Sequence, residues 1–246
     1  LIAGNQGTCH YSYGGGGLYL EGGIVRNCVI TNNCDGHLLT GSYQRGGGIY
    51  VPSKAVVTIE NCLVANNWAG ASGGGGIYLN SSTADCVIRG CTIVGNRCRG
   101  GVAGLQLGAA CTVEDTVIWD NWLTSPSANP AADELSTGQV ANFRNVCSKG
   151  GYGADPITED PKFVNPAAGD YRVSATSACC AHDCGAFGWD KTAFVDGISL
   201  VKIADDDRMA SVPMPTSLVV RIDEGAKLAL DFSGTNEVHS VRLGTH

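Results

Sequence analysis

Apolar and polar residues alternate in short runs of three to five positions through the first 150 residues of the chain. This two-residue period is typical of β-strands, and no stretch keeps the 3.6-residue period of an amphipathic helix. The runs also recur, because the sequence GGGIYV at 46–51 returns as GGGIYL at 74–79 and as GGGLYL at 15–20. The pattern therefore predicts a repeat protein built from short strands.

A second motif follows each glycine run and has the form NC-x-I-x-NN at 27–33, with related copies at 61–67, 90–96 and 115–121. Aligning the copies defines columns whose successive members lie 25 to 34 residues apart. One column is polar: Asn5, Asn33, Asn67, Asn96 and Asn121. Two are apolar: Leu18, Ile49, Ile77, Leu105 and Leu135, and then Val25, Ile59, Ile88, Val113 and Phe143.

A period near 28 residues with short strands and no helical pattern favours one coil of a parallel β-helix per repeat. The leucine-rich, ankyrin, tetratricopeptide and Ca²⁺-binding nonapeptide patterns are all missing from the sequence. A further column contains only residues that tolerate a left-handed backbone: Asn27, Asn61, Gly90, Asp115 and Asn145. It predicts the same sharp turn in every coil.

The column before that turn alternates in charge: Arg26, Glu60, Arg89, Glu114 and Arg144. Neighbouring coils stack about 4.8 Å apart, so each of these charges should lie between two of opposite sign. Slipping by one coil would bring like charges together, which predicts that the column helps to fix the register.

Composition narrows the class of protein. Glycine is 35 of 246 residues without a collagen period, and proline is only 8. The net charge of −7 excludes a domain-wide basic surface for nucleic acid, and no apolar run is long enough to span a membrane. Residues 1–150 carry a net charge of −1 and residues 151–246 one of −6. We therefore expect β-helix coils over 1–150, a capping segment over 151–190 and a small β-rich domain, or the start of a further repeat, over 191–246.

The GGGIY and NC-x-I-x-NN motifs resemble the right-handed parallel β-helix repeats of secreted and cell-surface bacterial proteins. Residues 160–173, DPKFVNPAAGDYRV, resemble the segment that closes many such helices, and 191–246 are similar to autotransporter-associated β-strand repeats. The resemblance implies an all-β fold: a right-handed parallel β-helix of about five coils, then a small β-rich segment. It also implies an extracellular or cell-surface location, for a chain that looks like a fragment of a longer secreted protein.

The chain has 12 cysteines, and five of them fall in inward-facing columns of the alignment: Cys28, Cys62 and Cys91 in one, Cys86 and Cys111 in another. The sequence predicts buried thiols at these positions, with disulfides between adjacent coils as an alternative. Cys179, Cys180 and Cys184 lie outside the repeats, beside His182 and Asp183. A disulfide or free thiols are favoured there over a bound metal, and no metal site is predicted.

Loops between the asparagine column and the next glycine run carry most of the candidate chemistry. His37, Tyr43 and Arg45 are the residue types that a polysaccharide lyase uses, since it needs a base and a cation beside the developing enolate. Trp68 and Trp122 in these loops offer flat apolar faces for binding sugars, and Arg97 lies in the same group of loops. The alternative for each is an ordinary surface loop.

Tyr19, Tyr50 and Tyr78 form a second candidate site. Each lies between two inward apolar residues, so the sequence predicts an outward strip of stacked rings that binds a glycan. The alternatives are a ladder that stabilises the coils, or a patch covered by a loop or a partner.

These observations favour a non-catalytic structural or adhesive surface module that binds glycan, with polysaccharide or another surface protein as partner. The alternative is a polysaccharide lyase or glycoside hydrolase acting on an extracellular polysaccharide. Residues 1–150 contain only two lysines, Lys54 and Lys149, which weighs against a catalytic cluster. We expect no cofactor for the binding module, and Ca²⁺ only for the lyase.

Overall fold

The computed structural model describes residues 1–7, 14–35, 45–70, 73–80, 85–108, 111–125, 128–136 and 142–186, and the backbone of six short strands after residue 190. The chain divides into two compact units, Leu1–Trp189 and Asp190–His246. In the described part of the chain, no helix has the length and apolar character needed to cross a membrane.

In the described residues of the first unit there are 21 strands, which follow one another around successive coils. The chain starts with β1 (Ile2–Ala3) and β2 (Gln6–Gly7). The first complete coil has β3 (Leu18–Tyr19), β4 (Gly23–Arg26), β5 (Val29–Thr31) and β6 (Cys34–Asp35). The second has β7 (Ile49–Val51), β8 (Val57–Glu60), β9 (Leu63–Ala65) and β10 (Trp68–Ala69).

The third coil has β11 (Ile77–Leu79), β12 (Val87–Arg89), β13 (Thr92–Val94) and β14 (Arg97–Cys98). The fourth has β15 (Leu105–Leu107), β16 (Thr112–Glu114), β17 (Val117–Trp119) and β18 (Trp122–Leu123). A further turn begins with α1 (Pro130–Glu134) and β19 (Phe143–Arg144). The unit ends with β20 (Phe163–Asn165), β21 (Asp170–Val173) and 3₁₀ helices at Pro166–Ala168 and Ala178–His182.

Equivalent strands of successive coils pair in parallel and form four sheets. In the order of the chain around a coil, sheet 1 is β3-β7-β11-β15, sheet 2 is β4-β8-β12-β16-β19, sheet 3 is β1-β5-β9-β13-β17 and sheet 4 is β2-β6-β10-β14-β18. The predicted all-β parallel β-helix is therefore confirmed. It has four complete coils with partial turns at both ends, where the sequence suggested about five.

The register of the sheets agrees with the columns of the alignment. In sheet 2, Arg26 pairs with Glu60, Glu60 with Arg89, Arg89 with Glu114 and Glu114 with Arg144. Ion pairs join Arg89 to Glu60 at 3.2 Å and Arg144 to Glu114 at 3.4 Å. Both pairs are solvent-exposed and contribute at most about 1 kcal/mol each. Their main effect is on the register, since a shifted coil would lose both.

The predicted left-handed turn is present in every coil. The φ angles of Asn27, Asn61, Gly90, Asp115 and Asn145 lie between 48° and 56°. A second left-handed column, which the sequence analysis did not identify, bends the chain between sheets 3 and 4: Asn32, Asn66, Gly95 and Asp120. The two columns flank sheet 3 and fix the path of the backbone around each coil.

A ladder of buried asparagines runs through the interior beside sheet 4. Asn33, Asn67, Asn96 and Asn121 are almost fully buried. The Nδ2 of Asn67 donates to Oδ1 of Asn96 at 2.9 Å and to the carbonyl of Ile30 at 3.0 Å. Its Oδ1 accepts from both the backbone N and Nδ2 of Asn33, each at 3.0 Å. Each rung thus satisfies buried polar groups of the coil beside it.

The asparagine ladder explains the glycine runs. A β-carbon at Gly48 would lie 2.9 Å from Nδ2 of Asn67. A β-carbon at Gly76 would lie at the same distance from Nδ2 of Asn96. No side chain fits between the backbone of sheet 1 and the ladder, so the position has to be glycine. The glycine run and the asparagine motif of the repeat are therefore explained by one contact, in which the asparagine side chain packs against the glycine backbone.

The segment after β19 packs along the outer face of sheet 3. A buried apolar cluster joins Val117 of that sheet to Ile157, Val173, Cys179 and Cys184 of the segment. The backbone N of Ala186 donates to Oγ1 of Thr92 at 2.8 Å, and that of Gly185 to the carbonyl of Asp115 at 2.9 Å. Outward residues of sheet 3 such as Thr92 and Val117 are buried as a result, whereas Arg97 and Trp122 on the outer face of sheet 4 stay exposed.

The second unit contains β22 (Phe194–Val195), β23 (Ile198–Ser199), β24 (Met209–Ser211), β25 (Leu218–Arg221), β26 (Ala229–Asp231) and β27 (Val241–Gly244). Strands β22 and β23 pair antiparallel, whereas β24 pairs with β26 and β25 with β27 in parallel.

Candidate functional site

Three large side chains lie on successive rungs of sheet 4 and are named here the sheet 4 ladder: Trp68, Arg97 and Trp122. Trp68 pairs with Arg97 and Arg97 with Trp122 in the parallel register. Each is the first residue of a two-residue strand whose second residue is buried, so each points away from the core. The guanidinium carbon of Arg97 lies 5.3 Å from the centre of the Trp122 ring, and Trp122 is 44% exposed.

A groove accompanies this ladder on the side of the second left-handed column. It has a volume of about 390 Å³ and is lined by Asn32, Asn66, Trp68 and Arg97, among others. The left-handed backbone of Asn32 and Asn66 places two amides beside the ladder. Amides both donate and accept hydrogen bonds, so the groove combines an aromatic face, a cation and neutral polar groups.

The chemistry of the sheet 4 ladder suits a polymer that lies along the solenoid. A Trp ring offers an apolar face for the C–H side of a sugar ring. An Arg can bind a carboxylate with two parallel hydrogen bonds. Because successive rungs are about 4.8 Å apart, the three side chains present these features in a row.

The three tyrosines stack, but they do not form the open strip that the sequence predicted. Ring centres of Tyr19 and Tyr50 are 5.5 Å apart, and those of Tyr50 and Tyr78 are 5.7 Å apart. Tyr50 is only 3% exposed, because the backbone of Gly14 lies against its ring and Nδ2 of Asn80 contacts its hydroxyl at 3.3 Å. The prediction of an exposed ring at Tyr50 is therefore wrong, and the tyrosines form a ladder that packs between coils.

The lyase candidates are only partly within the described residues. His37 and Tyr43 lie outside them. The guanidinium carbon of Arg45 lies 5.2 Å from the centre of the Tyr78 ring, and its backbone N donates to the carboxylate of Asp35 at 2.8 Å. Arg45 thus contacts the tyrosine ladder and anchors the end of its loop on a buried carboxylate.

Two carboxylates and a lysine meet beside α1. The ammonium of Lys149 lies 2.7 Å from Asp120 and 3.2 Å from Glu134. The two carboxylates are therefore within about 6 Å of each other, close to the ~5–5.5 Å spacing of retaining glycosidases. Glu134 is only 1% exposed, however, and Lys149 lies between it and Asp120. The arrangement is an ion cluster with one buried member, Glu134, rather than an open catalytic pair.

Two buried carboxyl groups make the stability of the fold depend on pH. Burial raises the pKa of Asp35 to about 6, although the hydrogen bond from the Arg45 amide lowers this pKa in part. Burial also raises the pKa of Glu134 to about 7, against the opposing charge of Lys149. A folded-state pKa above the unfolded one means that the protonated form is favoured on folding, so stability is lost as the pH rises.

We expect the free energy of unfolding to fall between about pH 4 and 7, with Glu134 contributing about 3 kcal/mol of the loss. Urea titrations at several pH values measure this slope. Glu134→Gln should remove most of it, whereas Asp35→Asn should remove only the part below about pH 6. A slope that is unchanged in Glu134→Gln would show that Glu134 is ionised throughout.

The cysteine columns are interior, as predicted, with one exception. Cys62, Cys86, Cys91 and Cys111 are buried, whereas Cys28, at the first complete coil, is half-buried. A hydrogen bond with Cys91 lowers the pKa of Cys62 to about 7. Every cysteine of the described residues is a free thiol, and within that part of the chain no group of three His, Cys, Asp or Glu is placed to hold a metal ion.

Comparison with known proteins agrees with this architecture. Residues 25–130 match the family described as the right handed beta helix region. The chain folds as a right-handed parallel β-helix. No curated protein and no solved structure matches the chain. The matched region contains Trp68, Arg97 and Trp122 of the sheet 4 ladder.

The sequence predicted Trp68, Arg97 and Trp122 to lie in loops of the parallel β-helix. In the structure they lie on strands of sheet 4. A signal for this was present. Each follows a member of the second left-handed column by two residues, so the three share one column of the alignment. The contact of Lys149 with Asp120 was not predicted, because the alignment ended at Asn145.

Proposed function

We propose that this protein is a non-catalytic extracellular or cell-surface module that binds polysaccharide along the outer face of sheet 4. The observation that carries the proposal is the row of Trp68, Arg97 and Trp122 on three adjacent coils beside a groove lined by amides. Rigid aromatic rings and an arginine at the centre of a surface are the residue types that dominate binding energies.

The rest of the molecule supports binding rather than bond cleavage. In the described residues, the exposed carboxylate of Asp120 lies near Glu134, whose pKa is raised. Glu134 is buried, however, so a substrate could not reach it. Arg45 is engaged with Tyr78 and with the loop anchor at Asp35. A lyase or glycosidase would need such groups to converge on an open cleft.

The charge of Arg97 predicts a preference among polysaccharides. Arg97→Gln should weaken retention on polygalacturonate about fivefold, because one charge-assisted hydrogen bond at a surface is worth about 1 kcal/mol. Retention on hydroxyethyl cellulose should change by less than about twofold, since the two Trp faces remain. Affinity electrophoresis through gels containing each polymer measures both.

The matched control is Arg89→Gln, which removes an exposed arginine from sheet 2 instead of sheet 4. It should leave retention on both polymers unchanged. Equal weakening by the two substitutions would contradict the proposal, because it would mean that the effect reflects total charge and not the sheet 4 ladder.

A further inference from the structure

A second groove lies where the β20–β21 hairpin crosses sheet 3, on the other side of the second left-handed column from the sheet 4 ladder. It has a volume of about 320 Å³. Its aromatic walls are Trp119 from β17, Phe163 from β20 and Tyr171 from β21. Phe163 and Tyr171 meet edge to face with ring centres 5.5 Å apart. The groove, named here the hairpin groove, belongs to neither the sheet 4 ladder nor the tyrosine ladder.

The charged residues of the hairpin groove compensate each other. Asp120, Asp160 and Lys162 line it, and Lys149 contacts Asp120 at 2.7 Å while lying 5.1 Å from the centre of the Trp119 ring. Two carboxylates and two ammonium groups thus lie at or beside the groove, and one pair of them, Asp120 and Lys149, is in contact. The groove offers both hydrogen-bond acceptors and donors, but no net charge to attract an ion.

The backbone holds these groups in place at a cost. Lys162 has a φ of 48° and Asp120 one of 52°. For a lysine this left-handed conformation costs about 1–2 kcal/mol, and a glycine would avoid the cost. The strained backbone directs the ammonium of Lys162 to the carbonyl of Thr176, at 3.0 Å, and its amide to Asp160, at 2.7 Å.

We infer that the hairpin groove binds one sugar residue of a neutral saccharide. Three rings at its walls suit the apolar face of a pyranose, and the compensated carboxylates and ammonium groups suit its hydroxyls. The volume is within the range of small-ligand sites. This inference goes beyond the proposed function, which concerns a different face and an arginine that favours acidic polymers.

The test uses the full chain and a panel of probes: cellotetraose, maltotetraose, xylotetraose and mannotetraose as neutral saccharides, with tetragalacturonate and choline as charged ones. Isothermal titration calorimetry should detect binding of at least one neutral tetrasaccharide. Trp119→Ala should weaken that binding about tenfold, as expected for a stacked aromatic contact. Trp122→Ala should not affect it, which separates this site from the sheet 4 ladder.

A second variant guards against misfolding. Lys162→Gly removes the ammonium and relaxes the left-handed backbone, so it should weaken binding about fivefold while the thermal midpoint stays close to that of the wild type. Lys54→Gly is the matched control, since Lys54 has a φ of 70° but lies away from the groove. It should leave binding unchanged.

Three results would overturn the inference. The first is that no neutral tetrasaccharide binds at millimolar concentration, and the second is that only tetragalacturonate or choline binds. The third is wild-type affinity in both Trp119→Ala and Lys162→Gly. None of these results bears on retention of polygalacturonate by the sheet 4 ladder, so the two proposals can fail separately.

Discussion

Replacing Asn67 with alanine should lower the free energy of unfolding by about 3–5 kcal/mol. The side chain of Asn67 makes four hydrogen bonds inside the coil stack, two as donor and two as acceptor. Its loss leaves the buried backbone N of Asn33 without its acceptor and removes one partner from the carbonyl of Ile30. Each buried polar group that loses its partner costs about 1–3 kcal/mol, and alanine also leaves a cavity.

Urea unfolding followed by far-ultraviolet circular dichroism measures this loss, and hydrogen exchange shows which coils open. Asn67→Asp is a nearly isosteric second variant. It should be at least as destabilising, because a carboxylate cannot donate to Asn96 and Ile30. The matched control is Asn61→Gly, which changes a half-buried asparagine with a left-handed backbone in the same coil and should cost less than about 1 kcal/mol. A loss no larger for Asn67 than for Asn61 would contradict the structural role of the ladder.

Replacing both Trp68 and Trp122 with alanine should reduce retention on polysaccharide about a hundredfold. Each indole offers an exposed or half-exposed face on sheet 4, and together they flank Arg97. Truncating an aromatic anchor commonly costs 1–2 kcal/mol or more of binding energy, and the two lie too far apart in the ladder to substitute for each other. Stability should change little by comparison, since neither residue belongs to the central core.

The matched control is Trp119→Ala, which removes an indole from the hairpin groove of the same coil as Trp122. It should leave retention on polygalacturonate within about twofold of the wild type. If the double variant is folded and is retained like the wild type, the sheet 4 ladder is not the binding surface. If Trp119→Ala alone abolishes retention, the hairpin groove carries the polymer instead.

Features that repeat in every coil were predictable from the sequence, because the same type of residue recurs at the same position of each coil. The alternating charges from Arg26 to Arg144 and the left-handed turn from Asn27 to Asn145 both required only that the columns be aligned. The asparagine column was aligned as well. Its interior position follows from a contact that only the structure shows, that of Asn67 with Gly48.

Burial by segments outside the repeat was not predictable. Tyr50 has the same pattern as Tyr19, yet it is 3% exposed and Tyr19 is 38% exposed. The difference comes from the backbone of Gly14 against the ring, and loop paths do not follow the period. Lys149 is a different case. Val117 bridges to Cys147, so extending the alignment four residues past Asn145 would have placed Lys149 beside Trp119.

The most direct test of the central claim is to incubate the purified chain with polygalacturonate and to measure bound protein and polymer length in the same sample, with and without Ca²⁺. We predict that the chain is retained, that retention is lost in the Trp68→Ala, Trp122→Ala double variant, and that the polymer keeps its length. Shorter polymer with ultraviolet-absorbing unsaturated ends, abolished by substitution of His37 or Arg45, would contradict the claim and establish a lyase. Absence of retention on polygalacturonate and on hydroxyethyl cellulose would contradict it equally, because the sheet 4 ladder would then have no polysaccharide to bind.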